Sequence, residues 1–260
     1  MRSVFSALAG LGFLLTAPAG AVDLAAHVAH YKLSLQTSKG DIESAKGDMT
    51  YEVIDACDGW AVRQRLDMQL TSRDGQDVHS VADYTIFESK DGRQLRFRSN
   101  QNTEGESPDV VAGEARLAEK DGSGEVVYTQ PEAATKKLPA GTLFPMHHSI
   151  AFLDAAQHGK KFLSLPTFDG TSAAGVQSSS IVMSGWSGAP AETKFAPLAA
   201  LPSGKVHIAF FDGDSDGAQP DYEVSMRYWS NGVADQMAMD FGDFVMRGTL
   251  KTFNLLPSGC

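Results

Sequence analysis

The sequence predicts a mainly β protein in which one large antiparallel sheet packs against a helix. First, apolar and polar residues alternate along many segments, which turns one face of each strand toward a core and the other toward water. Second, Asp-Gly and Asn-Gly dipeptides, which suit tight hairpin turns, separate these segments. Third, a single stretch has apolar residues at helical spacing. Alternation of this kind is typical of antiparallel sheet, because parallel strands are usually apolar on both faces.

Strands are predicted wherever apolar residues occupy every second position. Turn dipeptides at Asp58-Gly59, Asp74-Gly75 and Asp91-Gly92 are separated by 16 and 17 residues, which predicts long strands in a meander. Further turns of this type are expected at 121–122, 169–170, 212–213, 216–217 and 231–232. The predicted apolar faces consist of Tyr31, Leu33 and Leu35; Met49, Tyr51 and Val53; Trp60, Val62, Leu66, Met68 and Leu70; Leu95 and Phe97; Tyr222, Val224, Met226 and Tyr228; and Met237, Met239 and Phe241.

One helix is expected over residues 145–156. Pro145 suits the first turn of a helix, and Gly159 stands where a C-terminal cap is expected. The apolar side of this helix is formed by Met146, Ile150 and Leu153. A helix packed against a curved sheet is the simplest arrangement of these elements.

Three segments rich in small, polar or proline residues are expected to be loops within one β-rich domain. They cover residues 131–142, 171–180 and 187–204. A domain boundary near 131–142 stays open as an alternative.

The first 21 residues are predicted to be a secretory signal peptide. Arg2 supplies the positive region, Leu8 to Thr16 the apolar region, and Ala19-Gly20-Ala21 the cleavage site. A membrane anchor is the alternative, but the apolar run is shorter than the ~20 residues that cross a bilayer. We therefore expect an exported mature protein over 22–260, with no transmembrane segment. Loss of Arg2 changes its net charge from −10 to −11.

The charge balance excludes two classes of partner. The chain has 22 Lys and Arg residues against 32 Asp and Glu residues. Because phosphate contacts need a basic face, nucleic acid is not expected as a partner. The same excess of acid argues against docking on an anionic membrane surface.

Two cysteines, Cys57 and Cys260, predict one disulfide. An even number of cysteines in an exported protein favours a bridge, and two cysteines allow only one intramolecular pairing. Two free thiols are the alternative. Neither cysteine has a second Cys or His at metal-ligand spacing, so a metal site is not predicted there.

One segment matches a calcium-loop pattern. Asp212, Asp214 and Asp216, followed by Gly217 and Glu223, satisfy the spacing D-x-D-x-D-G-x5-E. Strands are expected on both sides, whereas an EF-hand needs two helices, so we favour an acidic hairpin loop over a calcium site.

No other motif predicts a catalytic residue or a cofactor. The histidine pairs His27/His30 and His147/His148 lack further ligands at zinc spacing. Gly185-Trp186-Ser187-Gly188 does not have the spacing of a nucleophile elbow. A hydrolase with an unrecognised site remains an alternative.

The chain resembles the EipB family of cell-envelope integrity proteins. The most specific block is Asp55-Ala56-Cys57-Asp58-Gly59-Trp60, and the similarity covers essentially the whole mature chain. The other matching blocks are Tyr31-x-Leu33, residues 44–51, Leu143-Phe144-Pro145, Tyr222-Glu223-Val224-Ser225, Asn231-Gly232-Val233, residues 240–244 and Leu256-Pro257.

This resemblance implies a periplasmic protein of Gram-negative bacteria that supports the envelope under stress. It implies a β-spiral, or broken barrel, of antiparallel strands around a helix, over 22–260. It also implies a disulfide between the two ends, here Cys57 and Cys260. The architecture is similar to the half-barrels of the lipoprotein carriers LolA and LolB, and no catalytic residues carry over.

The sequence favours a non-enzymatic envelope protein that acts through protein partners or an apolar ligand. A carrier of lipid or lipoprotein is the second hypothesis. Flexible thioethers on the strand faces suit an adaptable apolar cavity, and they suit an ordinary core equally well. These methionines are Met49, Met68, Met226, Met237 and Met239. An open apolar cavity would favour the carrier, and a filled interior the interaction protein.

Overall fold

The computed structural model describes residues 22–118, 120–190, 192–212 and 219–260, without the side chains of residues 187–190. The predicted signal peptide over 1–21 lies outside the described residues. In the part described, the secondary structure consists of fourteen strands, one α-helix and a short 3-10 turn. The bounds are β1 His27–Ser38, β2 Ile42–Asp55, β3 Gly59–Ser72, β4 Asp77–Ser89, β5 Gln94–Thr103, β6 Asp109–Leu117, β7 Gly124–Gln130, β8 Ala134–Leu138, α1 Pro145–Gln157, β9 Phe162–Thr167, β10 Gln177–Pro190, the 3-10 turn Ala196–Leu198, β11 Pro202–Asp212, β12 Tyr222–Trp229, β13 Ala234–Asp240 and β14 Phe244–Leu255.

All fourteen strands belong to one antiparallel sheet. Its order is β8-β7-β6-β5-β4-β3-β2-β1-β14-β13-β12-β11-β10-β9, so two meanders meet where β1 pairs with β14. The mainly β, antiparallel prediction is confirmed.

The sheet curls around the helix without closing into a barrel. Strands β8 and β9 form its two edges, and no ladder joins them among the described strands. One parallel bridge, Leu143 to Thr167, connects the segment after β8 to the end of β9. Helix α1 follows directly and bonds to side chains from both halves of the sheet, Glu88 on β4 and Ser179 on β10. This is the β-spiral wrapped around a helix that the resemblance implies.

The predicted alternation is visible in the core. On β1, Tyr31 and Leu33 are buried while Lys32 and Ser34 are exposed. The helix begins at Pro145 as predicted and ends at Gln157, one residue later than expected. Gly159 has the positive φ that such a helix end favours.

Most of the described turn glycines also have positive φ, as tight turns require. They are Gly75, Gly92, Gly122, Gly170 and Gly232. At the Asp58-Gly59 turn, the positive φ belongs to Cys57 instead. Gly59 is needed there because an added Cβ would collide with the ring of Phe87.

The loop predictions are wrong in part. Residues 134–138 form β8, residues 177–190 form β10, and β11 begins at Pro202. Ser179 shows why a serine-rich segment can be a strand: it is buried and donates its hydroxyl to the Leu165 carbonyl oxygen at 2.9 Å. A hydroxyl satisfied in this way costs little to bury. No described helix is both long and apolar enough to cross a membrane.

Candidate functional site

A buried carboxylate holds the start of the helix in place. The side chain of Glu88 on β4 is completely buried and accepts hydrogen bonds from the backbone N–H groups of Met146 at 2.7 Å and His147 at 3.0 Å. The residue before the helix, Phe144, has no side-chain cap. The first N–H groups of a helix lack partners within the helix. Here the side chain of Glu88, from strand β4, takes the place of the usual capping side chain.

The ring of His147 completes this anchor. Its Nδ1 atom lies 2.6 Å from Glu88 Oε1, and its ring packs edge-on against Trp60. Gly92 leaves room for the ring, because an added Cβ would come within 2.8 Å of it. The anchor therefore fixes how α1 sits over β3 and β4.

A cavity of about 270 Å³ lies between α1 and the concave face of the sheet. Four of the five methionines singled out from the sequence line it, whereas Met68 is buried in the core elsewhere. The main apolar lining consists of Met49, Met226, Met237, Met239, Phe152 and Phe210. The interior is therefore not fully filled.

Tyrosines supply much of the polar surface of this cavity. Tyr31 donates its hydroxyl to the Ala234 carbonyl oxygen at 2.7 Å, and Tyr228 bonds to Ser149. Tyr51 and Tyr222 also line the cavity, but their hydroxyls have no partner among the described residues. Burial raises the pKa of all four tyrosines, so their hydroxyls stay protonated at neutral pH.

Asp169 is the one carboxylate in the described cavity lining. Its Oδ1 atom accepts hydrogen bonds from the Thr171 backbone N–H at 2.9 Å and from the Thr171 hydroxyl at 2.8 Å. Burial is the largest influence on this carboxyl group and raises its pKa. The described lining contains no Lys or Arg that would pair with it.

His148 faces the cavity from the helix as a neutral ring. Its Nε2 atom lies 2.8 Å from the Ser179 hydroxyl, which donates its only proton to the Leu165 carbonyl. His148 must therefore donate through Nε2, and its Nδ1 atom is left as an acceptor. Burial lowers the pKa of His148 to about 4.

The profile of the family described as EipB-like matches residues 18–257. The chain belongs to the EipB-like family.

Two relatives of the EipB-like chain agree with this assignment. Over 251 residues it is 30% identical to the cell envelope integrity protein EipB of Brucella abortus (strain 2308), covering 93% of this chain and 88% of that protein. It is also similar to the crystal structure of a beta-barrel-like protein of a domain of unknown function from Brucella abortus. That comparison has a TM-score of 0.82 and 29% identity, and covers 91% of this chain and 100% of the other. The resemblance identified from the sequence is confirmed.

The two cysteines of the EipB-like chain lie away from the cavity. Cys57 and Cys260 are joined by a disulfide with a Cα–Cα distance of 5.6 Å. This bond ties the C-terminal tail to the turn between β2 and β3, where Ser258 also donates its hydroxyl to Asp55 at 3.4 Å.

The calcium-loop residues are only partly described. Asp214 and Asp216 lie outside the described residues. Asp212 accepts a hydrogen bond from the Gln177 amide at 2.6 Å, and Glu223 lies 2.8 Å from His207 Nε2. Both described carboxylates therefore have protein partners of their own.

The histidine pairs have separate partners. His27 and His30 bond to the Ala25 carbonyl and the Thr50 hydroxyl, while His147 and His148 bond to different strands. Among the described residues, no group of three or more potential ligands could hold a metal ion.

Sequence reasoning missed the polar half of the site. Tyr31, Tyr51, Tyr222 and Tyr228 were on predicted apolar faces, and tyrosines sharing a face with methionines were an available signal for a cavity with polar groups. Glu88 and Asp169 carried no such signal, because their burial depends on segments distant in sequence.

His148 makes stability depend on pH. The unfolded-state pKa is ~6.5, above the folded-state value of about 4, so protons bind preferentially to the unfolded chain between these values. The free energy of unfolding should be highest above pH 6.5 and fall by up to roughly 3 kcal/mol on the way to pH 4. His27, whose pKa burial also lowers, acts in the same direction.

Urea titrations from pH 7 to pH 4 test this dependence. His148→Gln keeps a donor for Ser179 without the titrating ring, so its free energy of unfolding should change less between pH 7 and pH 4. His30→Gln at the exposed neighbour on β1 is the matched control and should leave the profile unchanged. If the free energy of unfolding falls equally with pH in His148→Gln and in the parent, His148 is not responsible for the pH dependence.

Proposed function

We propose that this EipB-like protein supports the cell envelope from the periplasm by binding an apolar chain of a lipid or lipoprotein. The observation that carries the proposal is the cavity of about 270 Å³, lined by methionine and aromatic side chains. Unbranched thioethers adapt to ligands of irregular shape. The relative named as a cell envelope integrity protein supports the cellular role.

The size of the cavity favours one slender chain. Ligand pockets usually measure ~300–1,000 Å³, so this cavity lies at the small end of that range. A carrier of lipoprotein would therefore enclose a single acyl chain here and leave the rest of the ligand outside.

The hydrogen bonds support binding rather than hydrolysis. Ser179 and His148 are in contact, but the serine proton goes to the Leu165 carbonyl, so His148 does not act as its base. The buried tyrosines keep their protons at neutral pH, as donors and not as bases.

A fluorescent apolar probe tests whether the cavity binds ligands. N-phenyl-1-naphthylamine should bind the purified mature protein saturably, with a rise in fluorescence. Met226→Trp, which places a larger ring in the cavity, should weaken binding at least about tenfold, or ~1.4 kcal/mol.

Val127→Trp is the matched control, because Val127 lies exposed on β7 outside the cavity. It should bind the probe like the parent. Absence of saturable binding by the parent, or equal binding by a folded Met226→Trp variant, would contradict the proposal.

A further inference from the structure

We propose, on the basis of the proposed function, that the ligand is a single-chain amphiphile whose buried polar end carries an amine and no acidic group. Three features of the cavity carry this inference: where its polar groups lie, which of them lack protein partners, and what charge the lining holds.

A row of polar residues crosses three strands beside the cavity, and three of its four members, Tyr51, Gln64 and Asp169, line it. Tyr51 on β2 lies opposite Gln64 on β3, and Gln64 lies opposite Tyr84 on β4. Tyr84 donates its hydroxyl to the backbone carbonyl of Asp169, which places the Asp169 turn at the end of this row. We call Tyr51, Gln64, Tyr84 and Asp169 the polar row. A ligand lying along the methionines would therefore meet the members of this row that line the cavity, Tyr51, Gln64 and Asp169.

Part of the polar row has unused hydrogen-bonding capacity. The Tyr51 hydroxyl and the Gln64 amide have no partner among the described residues. Asp169 receives both of its Thr171 bonds at Oδ1, which leaves Oδ2 as an acceptor. These atoms belong to residues that line the cavity, so they are available to hydrogen-bond a polar group of the ligand.

The charges determine which polar group fits. The described lining holds the Asp169 carboxylate and no Lys or Arg. A carboxylate or phosphate buried here would face a like charge without a counter-ion, which is strongly unfavourable. An ammonium group would pair with Asp169 and donate to its free oxygen. Nδ1 of His148 on α1 is a further acceptor for such a group.

Three probes with the same chain and different ends test this inference. Decylamine, 1-decanol and decanoate are titrated at pH 7 against protein loaded with N-phenyl-1-naphthylamine. We expect decylamine to displace the probe at the lowest concentration and decanoate at the highest. Asp169→Asn keeps the oxygen that accepts from Thr171, and it should reduce the affinity for decylamine about tenfold while changing that for decanol little.

Two controls separate the cavity from the acidic surface. Asp109→Asn removes an exposed carboxylate at the start of β6 and should leave all three affinities unchanged. Met226→Trp should weaken decylamine binding, because surface attraction alone would survive that change.

The outcomes separate the two proposals. Equal displacement by all three probes, or an unchanged decylamine affinity in Asp169→Asn, overturns the amine preference and leaves the proposed function standing. If none of the probes binds, including N-phenyl-1-naphthylamine, both proposals are wrong.

Discussion

Replacement of Glu88 by alanine is expected to lower the free energy of unfolding by about 3–5 kcal/mol. The Glu88 carboxylate is completely buried and accepts from two backbone N–H groups of α1 and from His147. Its removal leaves these donors without a partner inside the protein, and buried donors without partners carry a large desolvation cost. The helix should loosen first, since Phe144 provides no cap of its own.

Urea unfolding followed by circular dichroism measures this effect. Glu125→Ala is the control, because Glu125 lies half-exposed on β7 in a surface ion pair with Lys137 at 3.3 Å. Such a pair contributes only ~0–1 kcal/mol. Glu88→Gln keeps one acceptor oxygen, so its loss of free energy of unfolding should lie between the losses in Glu88→Ala and Glu125→Ala. An equal, small loss in both alanine variants would refute the anchoring role of Glu88.

The same variant links the anchor to the cavity. Because α1 forms one wall of the cavity, a loosened helix start should weaken the binding of N-phenyl-1-naphthylamine in Glu88→Ala. Glu125→Ala should bind the probe like the parent.

Loss of the disulfide is expected to have the largest effect on stability. Cys57 and Cys260 are 203 positions apart, and closing a loop of that length stabilises the fold by up to ~5 kcal/mol in the chain-entropy model. For a chain of this size, that corresponds to a fall in Tm of roughly 10–20 °C in the double variant Cys57→Ser, Cys260→Ser. Protease sensitivity should rise, because the segment after β14 loses its attachment.

Calorimetry and limited proteolysis of the oxidised parent and the double variant measure this loss. The parent treated with a reductant is the control, and it should melt like the double variant. The β-rich circular dichroism should persist at low temperature in both. A double variant that melts like the oxidised parent would exclude a structural role. One that is equally stable but inactive in cells would point to redox chemistry instead.

Several features of the fold could be predicted because they are local. Tyr31 and Leu33 are buried since successive side chains on a strand point to opposite faces, whatever the partner strand is. The helix bounds follow from Pro145 and Gly159 for similarly local reasons. The strand β10 was missed because its serines look like a loop until the carbonyl oxygen that satisfies Ser179 is known.

The sequence by itself determined the strand faces, the turns, the helix and the family of this protein, because each depends on neighbouring residues or on short motifs. Only the tertiary structure decided that β1 pairs with β14, with His27 opposite Leu255, and that a cavity lies between sheet and helix. It also decided that Glu88 is buried and that Asp169 lines the same cavity as four methionines. Burying a charged side chain such as Glu88 is costly unless hydrogen-bond partners compensate it, and here those partners are 58 and 59 residues away. The alternation of residues along one strand carries no information about such partners.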